Sequence, residues 1–512
     1  MKQIFPNSRN SNESVALQDG QTALDWHSVD TCTARAAAAI RRDLGDSPKR
    51  VGIFAHNAVE PVMACISALR AGASPVPINF HLTPAECAYI LGDADIGLLF
   101  VGPENHEAGL AAAAAQGIPL VVGWRCSKVK GLIAWEDWLA ADGQQEELGI
   151  PARRYLHYTS GTTGSPKGAE TPASMFPQVK SVAELFAAYR DIASQLPAGP
   201  SMIIGPLYHT GPLNSVRHVI GGKPLVILER FDAEEVLRAI DSYKVSTTTM
   251  VPTHFQRLLA LPEQVRSRYD VSSLRAVSHT GAACPQEVKR AMIHWFGPVL
   301  VESYGATEIG SVTMITTQEW LDHPRSVGRA QPGFEILILD DAGKPLPQGQ
   351  PGLIYFRDLS GAGIRYHNAP EKSKAAHIAP GVFTLGDIGY VDADGYLYIT
   401  DRESDMIVSG GVNIYPAEIE AALASHPDVA DSAVIGVPNA EMGEEVKALV
   451  IPREGAKPSA ELLLRHCREI LAGYKCPRSF EIVGDIGRNA MGKVNKRILR
   501  APYWPSERTI GG

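Results

Sequence analysis

The chain has 512 residues, 45% of them apolar, and a formal net charge of −8. That length suits a globular protein of more than one domain, and the negative balance argues against a nucleic-acid partner, which favours a basic face. No apolar run reaches membrane-spanning length, and the start, Met1-Lys2-Gln3-Ile4-Phe5-Pro6, meets a proline before any apolar signal segment develops.

The seven cysteines (Cys32, Cys65, Cys87, Cys126, Cys284, Cys467 and Cys476) form no CxxC pair. They read as reduced, mostly packed residues of a cytoplasmic protein. Residues 29–44 are alanine-rich and read as a helix. Arg50-Val51-Gly52-Ile53-Phe54-Ala55 and Ser74-Pro75-Val76-Pro77-Ile78 read as buried strands, with a helix over 60–72 between them that ends at glycine. Thr83, followed by Pro84 and Glu86, reads as a helix cap with proline at the first helical position. Further strands are expected at 96–101 and 120–122. This βα alternation predicts a parallel, doubly wound sheet. No chemistry is legible in it, and it reads as scaffold.

Tyr158-Thr159-Ser160-Gly161-Thr162-Thr163-Gly164-Ser165-Pro166-Lys167-Gly168 breaks that pattern, just after the β-like Arg154-Tyr155-Leu156-His157. Glycines allow positive φ and close backbone approach to a ligand. Backbone N–H groups, hydroxyls and an ammonium are the donors a polyphosphate needs. A bare linker has no use for a lysine held between proline and glycine. A P-loop needs Gly-Lys-Ser/Thr after four spacer residues; here the lysine trails its glycine by three residues and is followed by glycine. The stretch resembles the signature loop of the adenylate-forming superfamily, which holds acyl-CoA synthetases, peptide-synthetase adenylation domains and luciferases. Later motifs of that family recur in order along nearly the whole chain, most like an acyl-CoA synthetase. The resemblance implies that Thr159, Ser160, Gly161, Thr162, Thr163, Gly164 and Lys167 bind the β- and γ-phosphates of ATP, with Thr162 also at Mg²⁺.

Residues 181–196 then read as a helix, and Met202-Ile203-Ile204 as a strand running into Leu207-Tyr208-His209-Thr210-Gly211. His209 stands where the family has an aromatic residue or histidine at the acyl-pocket entrance; the role implied is a gate for substrate. Arg217 and His218 follow on a helix. They either neutralise a polar group of the substrate or are solvated or satisfied in the core. Strands at 225–228 and 246–250 flank a helix over 232–243 capped by Asp232. The strand at 274–278 leads into His279-Thr280-Gly281-Ala282-Ala283-Cys284, and the one at 299–303 into Tyr304-Gly305-Ala306-Thr307-Glu308, with the turn expected at Gly305. Read bare, the second is a tight turn with an incidental acid. Ligands bind at the carboxyl ends of strands in such sheets. The resemblance assigns Gly281, Ala282, Ala283, Glu302, Ser303, Tyr304 and Gly305 to the nucleotide site, Tyr304 stacking on adenine, and Thr307 to the α-phosphate. It assigns Glu308 to Mg²⁺, since a hard cation wants a carboxylate and waters.

Apolar strands over 327–356 alternate with Pro-Gly turns and suggest a small antiparallel barrel. Asp387 matches the family carboxylate that accepts both ribose hydroxyls, although Leu385 stands where the family usually has Thr or Ser. Ile399 and Arg402 match nucleotide-site positions. Ser404 falls at the family hinge, where Asp or Lys is usual. Beyond it, Ser409, Gly410 and Gly411 match the turn that lines the pantetheine tunnel of coenzyme A. Tyr474, Lys475 and Arg478 either hold coenzyme A phosphates or are solvated surface, and Met442 replaces a frequent aromatic. Lys493 matches the lysine that bridges the carboxylate and the α-phosphate, with Gly487 in place of the family proline. Lys496, Arg497 and Arg500 share a helical face and read as solvent-facing.

The resemblance therefore implies an α/β fold: a large N-terminal domain of two doubly wound sheets plus a small β-barrel, spanning 1–401, a hinge at 402–404, and a smaller mobile α/β C-terminal domain, 405–512. The implied enzyme is an acid:coenzyme A ligase using ATP, Mg²⁺ and coenzyme A. Walls near His209, Arg217, 278–283 and 305–310, with room at Gly205, Gly211, Gly281 and Gly310, favour a hydrophobic medium-chain, aromatic or polycyclic acid. Two alternatives stay open, a free-standing adenylation enzyme that loads a carrier protein and a nucleotide-binding regulator without catalysis; the intact loop, Glu308, Asp387 and Lys493 argue against the regulator. A homodimer stays open as well.

Overall fold

In a computed structural model, the described residues are 5, 14–45, 50–126, 129–140, 147–159, 166–172, 175–340, 342–402, 405–409, 412–439, 442–471, 473–488, 492 and 494–504. The first sheet is the expected parallel one, in the order Pro75–Pro77, Arg50–Phe54, Ile96–Val101, Val121–Gly123, Ile133–Ala134. Its central strand Ile96–Val101 is buried at every position, as a run covered on both faces must be. Helix Pro84–Asp93 starts at the predicted Thr83 cap, closed by a full capping box with Glu86.

Helix Val59–Arg70 is buried along its whole length. It lies between layers: one core joins Val51, Leu98 and Phe100 of the first sheet to Ile203, Leu225 and Ile227 of a second. A helix apolar all round belongs in such a place. Its one cation, Arg70, bonds the Asp30 carboxylate at 2.7 Å, and both side chains are sealed from solvent. The pairing keeps either charge from being buried alone.

The second sheet has nine strands. Six run parallel in its middle, ordered Val15–Gln18, Leu225–Ile227, Ser201–Ile203, Thr247–Met250, Ala276–His279 and Leu300–Ala306. Antiparallel strands Gly310–Thr316 and Arg329–Ala330 extend one edge. The third sheet is antiparallel and five-stranded, built from Phe334–Leu339, Gly352–Asp358, His377–Ala379, Val382–Val391 and Leu397–Arg402. A fourth begins with Ile407–Ser409 and Val412–Ile414 and centres on the long pair Val429–Asn439 and Gly443–Pro452. It has its own core around Ile419, Val434, Ala448 and Leu463.

Three local readings differ from expectation. Gly305 is within strand Leu300–Ala306, not in a turn; the reversal falls at 307–309. Glycine is required there by proximity, since a Cβ would lie 1.8 Å from the Gly310 carbonyl oxygen. Lys496 is not solvent-facing: its Nζ lies 2.9 Å from Glu420 Oε1, with the side chain 11% exposed. Helix Lys496–Arg500 packs on strand Val429–Asn439, which draws that face inward. Gly205 offers no open room, because a Cβ there would lie 3.0 Å from Pro212 Cγ.

Burial holds four histidines neutral, with His157 pushed down to about 4, His218 and His254 to about 3, and His279 well below its ordinary value. The unfolded chain protonates these imidazoles from about pH 6.5 downward, and the folded chain does not until about pH 4. The unfolded state then holds more protons in that window, so stability should fall as pH drops from about 6.5 to about 5, before carboxylates titrate. Urea midpoints measured across that range test this; a flat midpoint would contradict it.

Candidate active site

Strand Leu156–Thr159 and strand Lys167–Glu170 form a hairpin whose last register pair is Thr159 with Lys167. The glycine-rich loop is thus closed at its base by one backbone pair. Ser160, Gly161, Thr162, Thr163, Gly164 and Ser165 themselves lie outside the described residues. The Thr159 hydroxyl donates to Glu308 Oε1 at 3.3 Å, which ties the loop's first hydroxyl to the predicted metal carboxylate. On the other side Lys167 Nζ stands 5.9 Å from the Tyr366 ring centre. Burial and the Glu308 charge push the Tyr366 phenol up to about 12, so it stays protonated beside that carboxylate.

The remaining groups converge from the carboxyl ends of the parallel strands. Thr280, after Ala276–His279, donates its hydroxyl to the Ser303 carbonyl at 2.8 Å and fastens two strand ends together. Gly281 follows with φ +91, a conformation that favours glycine; Ala282 and Ala283 continue the turn. Thr210, after Ser201–Ile203, donates to the Thr307 hydroxyl at 3.4 Å. His209 caps that short helix, with its ring 4.3 Å from Tyr208. The Tyr304 hydroxyl bonds Asp387, which reaches in from the third sheet and is 4% exposed. Asp387 is the register partner of Arg402, and Gly389 of Ile399. Leu385 packs into the core of the third sheet, which accounts for an apolar residue there.

Glu302 faces away from this cleft. Its carboxylate lies 2.5 Å from Lys289 Nζ on helix Gln286–Phe296, behind the sheet. Burial pushes the carboxyl up and the ammonium down, each opposed by the partner's charge. Sequence reasoning missed Lys289, Thr210, Thr280 and Tyr366. A lone lysine at the inner face of an amphipathic helix was the one available signal for the first; hydroxyls and a tyrosine in mixed segments carry none.

Lys493 and its neighbours at 489–491 lie outside the described residues, as do Ser404, Gly410 and Gly411. Arg488, Gly492 and Val494 near Lys493 are described. Arg488 and Val494 pair across it, and Arg488 donates to the Gly492 carbonyl at 2.6 Å while bonding Asp431. Gly492 abuts Thr253, where a Cβ would meet Thr253 Cγ2 at 2.6 Å. Thr253 opens helix Pro252–Ala260, just past strand Thr247–Met250, so Gly492 lies at the carboxyl end of that strand. Gly487 has φ +65 and donates its N–H to Asp485, two things the family proline at this position cannot do. Ser409 pairs with Val412 and Gly443. Lys475 is held 2.7 Å from Glu418, and Tyr474 is 51% exposed.

Residues 5–362 match the family described as AMP-binding enzyme, and residues 418–493 match the AMP-binding enzyme C-terminal domain. A feruloyl-CoA synthase of an Amycolatopsis species is 32% identical over 97% of both chains. A 3-[(3aS,4S,7aS)-7a-methyl-1,5-dioxo-octahydro-1H-inden-4-yl]propanoyl:CoA ligase of Rhodococcus jostii is 31% identical over 96% of both. The ATP-bound structure of MatB from Rhodopseudomonas palustris superposes with a TM-score of 0.81 at 27% identity, covering 98% of both chains. The chain belongs to the AMP-binding enzyme family of adenylate-forming proteins, and within it to the acyl-CoA synthetases. It is an ATP-dependent acid:coenzyme A ligase that works through an acyl-adenylate.

Gly305→Ala places a methyl group on the Gly310 carbonyl and must displace strand Gly310–Thr316 from Leu300–Ala306. The expected result is loss of the thermal stabilisation that ATP confers and at least about a hundredfold fall in pyrophosphate release, as when a transition-state donor is misplaced. A variant that binds ATP as tightly as the parent would contradict the assignment of this strand end.

Proposed function

We propose that the enzyme activates a hydrophobic acid of aromatic, polycyclic or medium-chain size, with the carboxyl group beside His209, Thr210 and Thr307. The observation that carries this reading is the shared cleft, in which Thr159 meets Glu308, Thr210 meets Thr307 and Tyr304 meets Asp387. The row Phe80, Tyr208 and His209, with neighbouring ring centres 5.1 and 4.3 Å apart, supplies an apolar flank at its mouth. The relatives named above act on feruloyl and bicyclic propanoyl acids, which supports the same size class.

Attack of a carboxylate on the α-phosphate needs positioning and charge neutralisation more than acid–base chemistry. In this reading the 160–165 loop and Lys167 hold the β- and γ-phosphates, Thr307 the α-phosphate, Asp387 the ribose and Tyr304 the adenine. Ile399 and Arg402 flank the ribose. Glu308 and Thr162 would hold Mg²⁺; a carboxylate grouped with hydroxyl oxygens is a donor set suited to a hard cation. When bound, the cation supplies neutralising charge for the departing pyrophosphate. Lys493 brings two mutually repelling anions together. Residues 405–512 then turn at 402–404, with Ser404 as hinge, which withdraws Lys493 and presents Ser409, Gly410 and Gly411 to the pantetheine thiol. The contact between Gly492 and Thr253 supports a first half-reaction with the Lys493 turn at the cleft. The free cysteines support a reducing, cytoplasmic setting.

Lys493→Ala should abolish adenylate formation while largely sparing thioester formation from supplied acyl-AMP; equal loss of both half-reactions would contradict the two-position scheme. A panel of aliphatic, aromatic and polycyclic acids, scored by AMP release with free coenzyme A and with a phosphopantetheinyl carrier protein, should show hydrophobic acids ahead of acetate and coenzyme A as acceptor. Preference for acetate, or for the carrier, would overturn those parts of the reading.

A further inference from the structure

Between the loop hairpin and the helices behind His209 lies a small, largely enclosed cavity of about 20 Å³, lined by Tyr155, His157, Thr171, Tyr189, Asn214 and Arg217, among others. That is room for one oxygen-sized group and no more. Arg217 Nε is sealed from solvent and has no hydrogen-bond partner among the described residues, and the same holds for His157 Nδ1. No carboxylate pairs with Arg217 among the described residues. The Arg217 side chain as a whole is only partly buried, but a sealed donor such as Nε without an acceptor is costly. Burial lowers its proton affinity, and the ionisable groups facing it are the Tyr155 and Tyr189 phenols and the His218 ring. His218 is occupied elsewhere, bonded to Ser201 Oγ at 2.9 Å.

The cavity lies on the same helical stripe as the acid's expected anchor. Backbone from Thr210 to Ile220 is helical throughout, because Asn214 and Ser215 between the two short helices also have right-handed helical angles. Thr210, Leu213, Asn214 and Arg217 therefore share one face at i, i+3, i+4 and i+7 spacing. At 1.5 Å per residue, Arg217 is about 10 Å along the axis from Thr210. Thr210 touches Thr307, and Leu213 and Asn214 line the cavity.

We infer that Arg217, with Tyr155, His157 and Tyr189, forms a specificity subsite for a single oxygen acceptor, a ketone oxygen, at the far end of the acid, about 10 Å from the carboxyl group being activated. This rests on the placement of that carboxyl group beside Thr210 and Thr307. The guanidinium offers donors only, so an acceptor satisfies it and a hydrocarbon end leaves it unpaired. Arg217 is a substrate-binding residue in this scheme, remote from the bond that forms.

The test compares two acids of equal length, 9-oxodecanoic acid and decanoic acid, by pyrophosphate release with the full-length enzyme. The parent enzyme should favour the oxo acid in kcat/KM by at least about tenfold, the worth of a hydrogen bond to a charged group. Arg217→Met, which keeps length and removes the donors, should bring that ratio close to one. Tyr189→Phe, which leaves the arginine in place, should lower it in part, and keeps the question open to experiment should the first variant fail to fold. Equal efficiency for the two acids in the parent enzyme, or an undiminished ratio in both variants, would overturn the inference. Release with other hydrophobic acids but with neither of these would also overturn it, since the tail would then lie elsewhere. Release with no acid of a broad panel would instead strike at the placement of the carboxyl group.

Discussion

Thr159 and Lys167 face each other at the mouth of a two-stranded hairpin, and the meeting of Thr159 with Glu308 depends on that pairing. The stretch between them is rich in glycines and hydroxyls. Its ends are held by the register of the strands, and the first hydroxyl beyond the hairpin is held by Glu308 from a different sheet. A slip of one residue would turn Thr159 to the other face and break the link to Glu308. The hairpin is braced in turn from outside, because Tyr158 donates to Asp93 at 2.6 Å and His367 N–H donates to the Gly168 carbonyl at 2.8 Å. Three layers of the large domain therefore meet at one loop.

The strand Leu300–Ala306 does comparable work from below. Its inner end carries a buried charge pair, Glu302 with Lys289, and its outer end carries Tyr304 to Asp387. Breaking a buried pair by removing one partner costs several kcal/mol, so such pairs resist small displacements of the strand that bears them. Close approach of Gly305 to the Gly310 carbonyl leaves no freedom in the neighbouring strand either. The result is a strand end whose position is set by charge on one side and by steric contact on the other.

Much of this was legible in the chain because the informative groups are local. A loop that needs glycines and hydroxyls within eleven residues writes them consecutively, and Thr83, Pro84 and Glu86 announce a helix start through contacts no more than three residues apart. The runs at 96–101 and 225–228 read as strands because both faces are covered. What stayed hidden involves partners far apart in sequence. Lys289 looks like an ordinary helix lysine until Glu302 is placed behind the sheet. Gly305 reads as a turn residue until strand Gly310–Thr316 is laid beside it. Arg217 was readable as substrate ligand or as a satisfied core cation, and only packing shows that its neighbours are phenols and an imidazole with no carboxylate among the described residues.

Alone, the order of residues determined the family, the chemistry of the loop and the succession of strands and helices, since each rests on short-range backbone preference and side-chain periodicity. Tertiary structure alone decided which of the scattered polar groups meet, what pairs with Glu302, where Gly492 rests and what surrounds Arg217. The reason is physical: burial, charge pairing and close contact are properties of distances between residues such as 159 and 308, or 253 and 492, and those distances exist only after the sheets have packed.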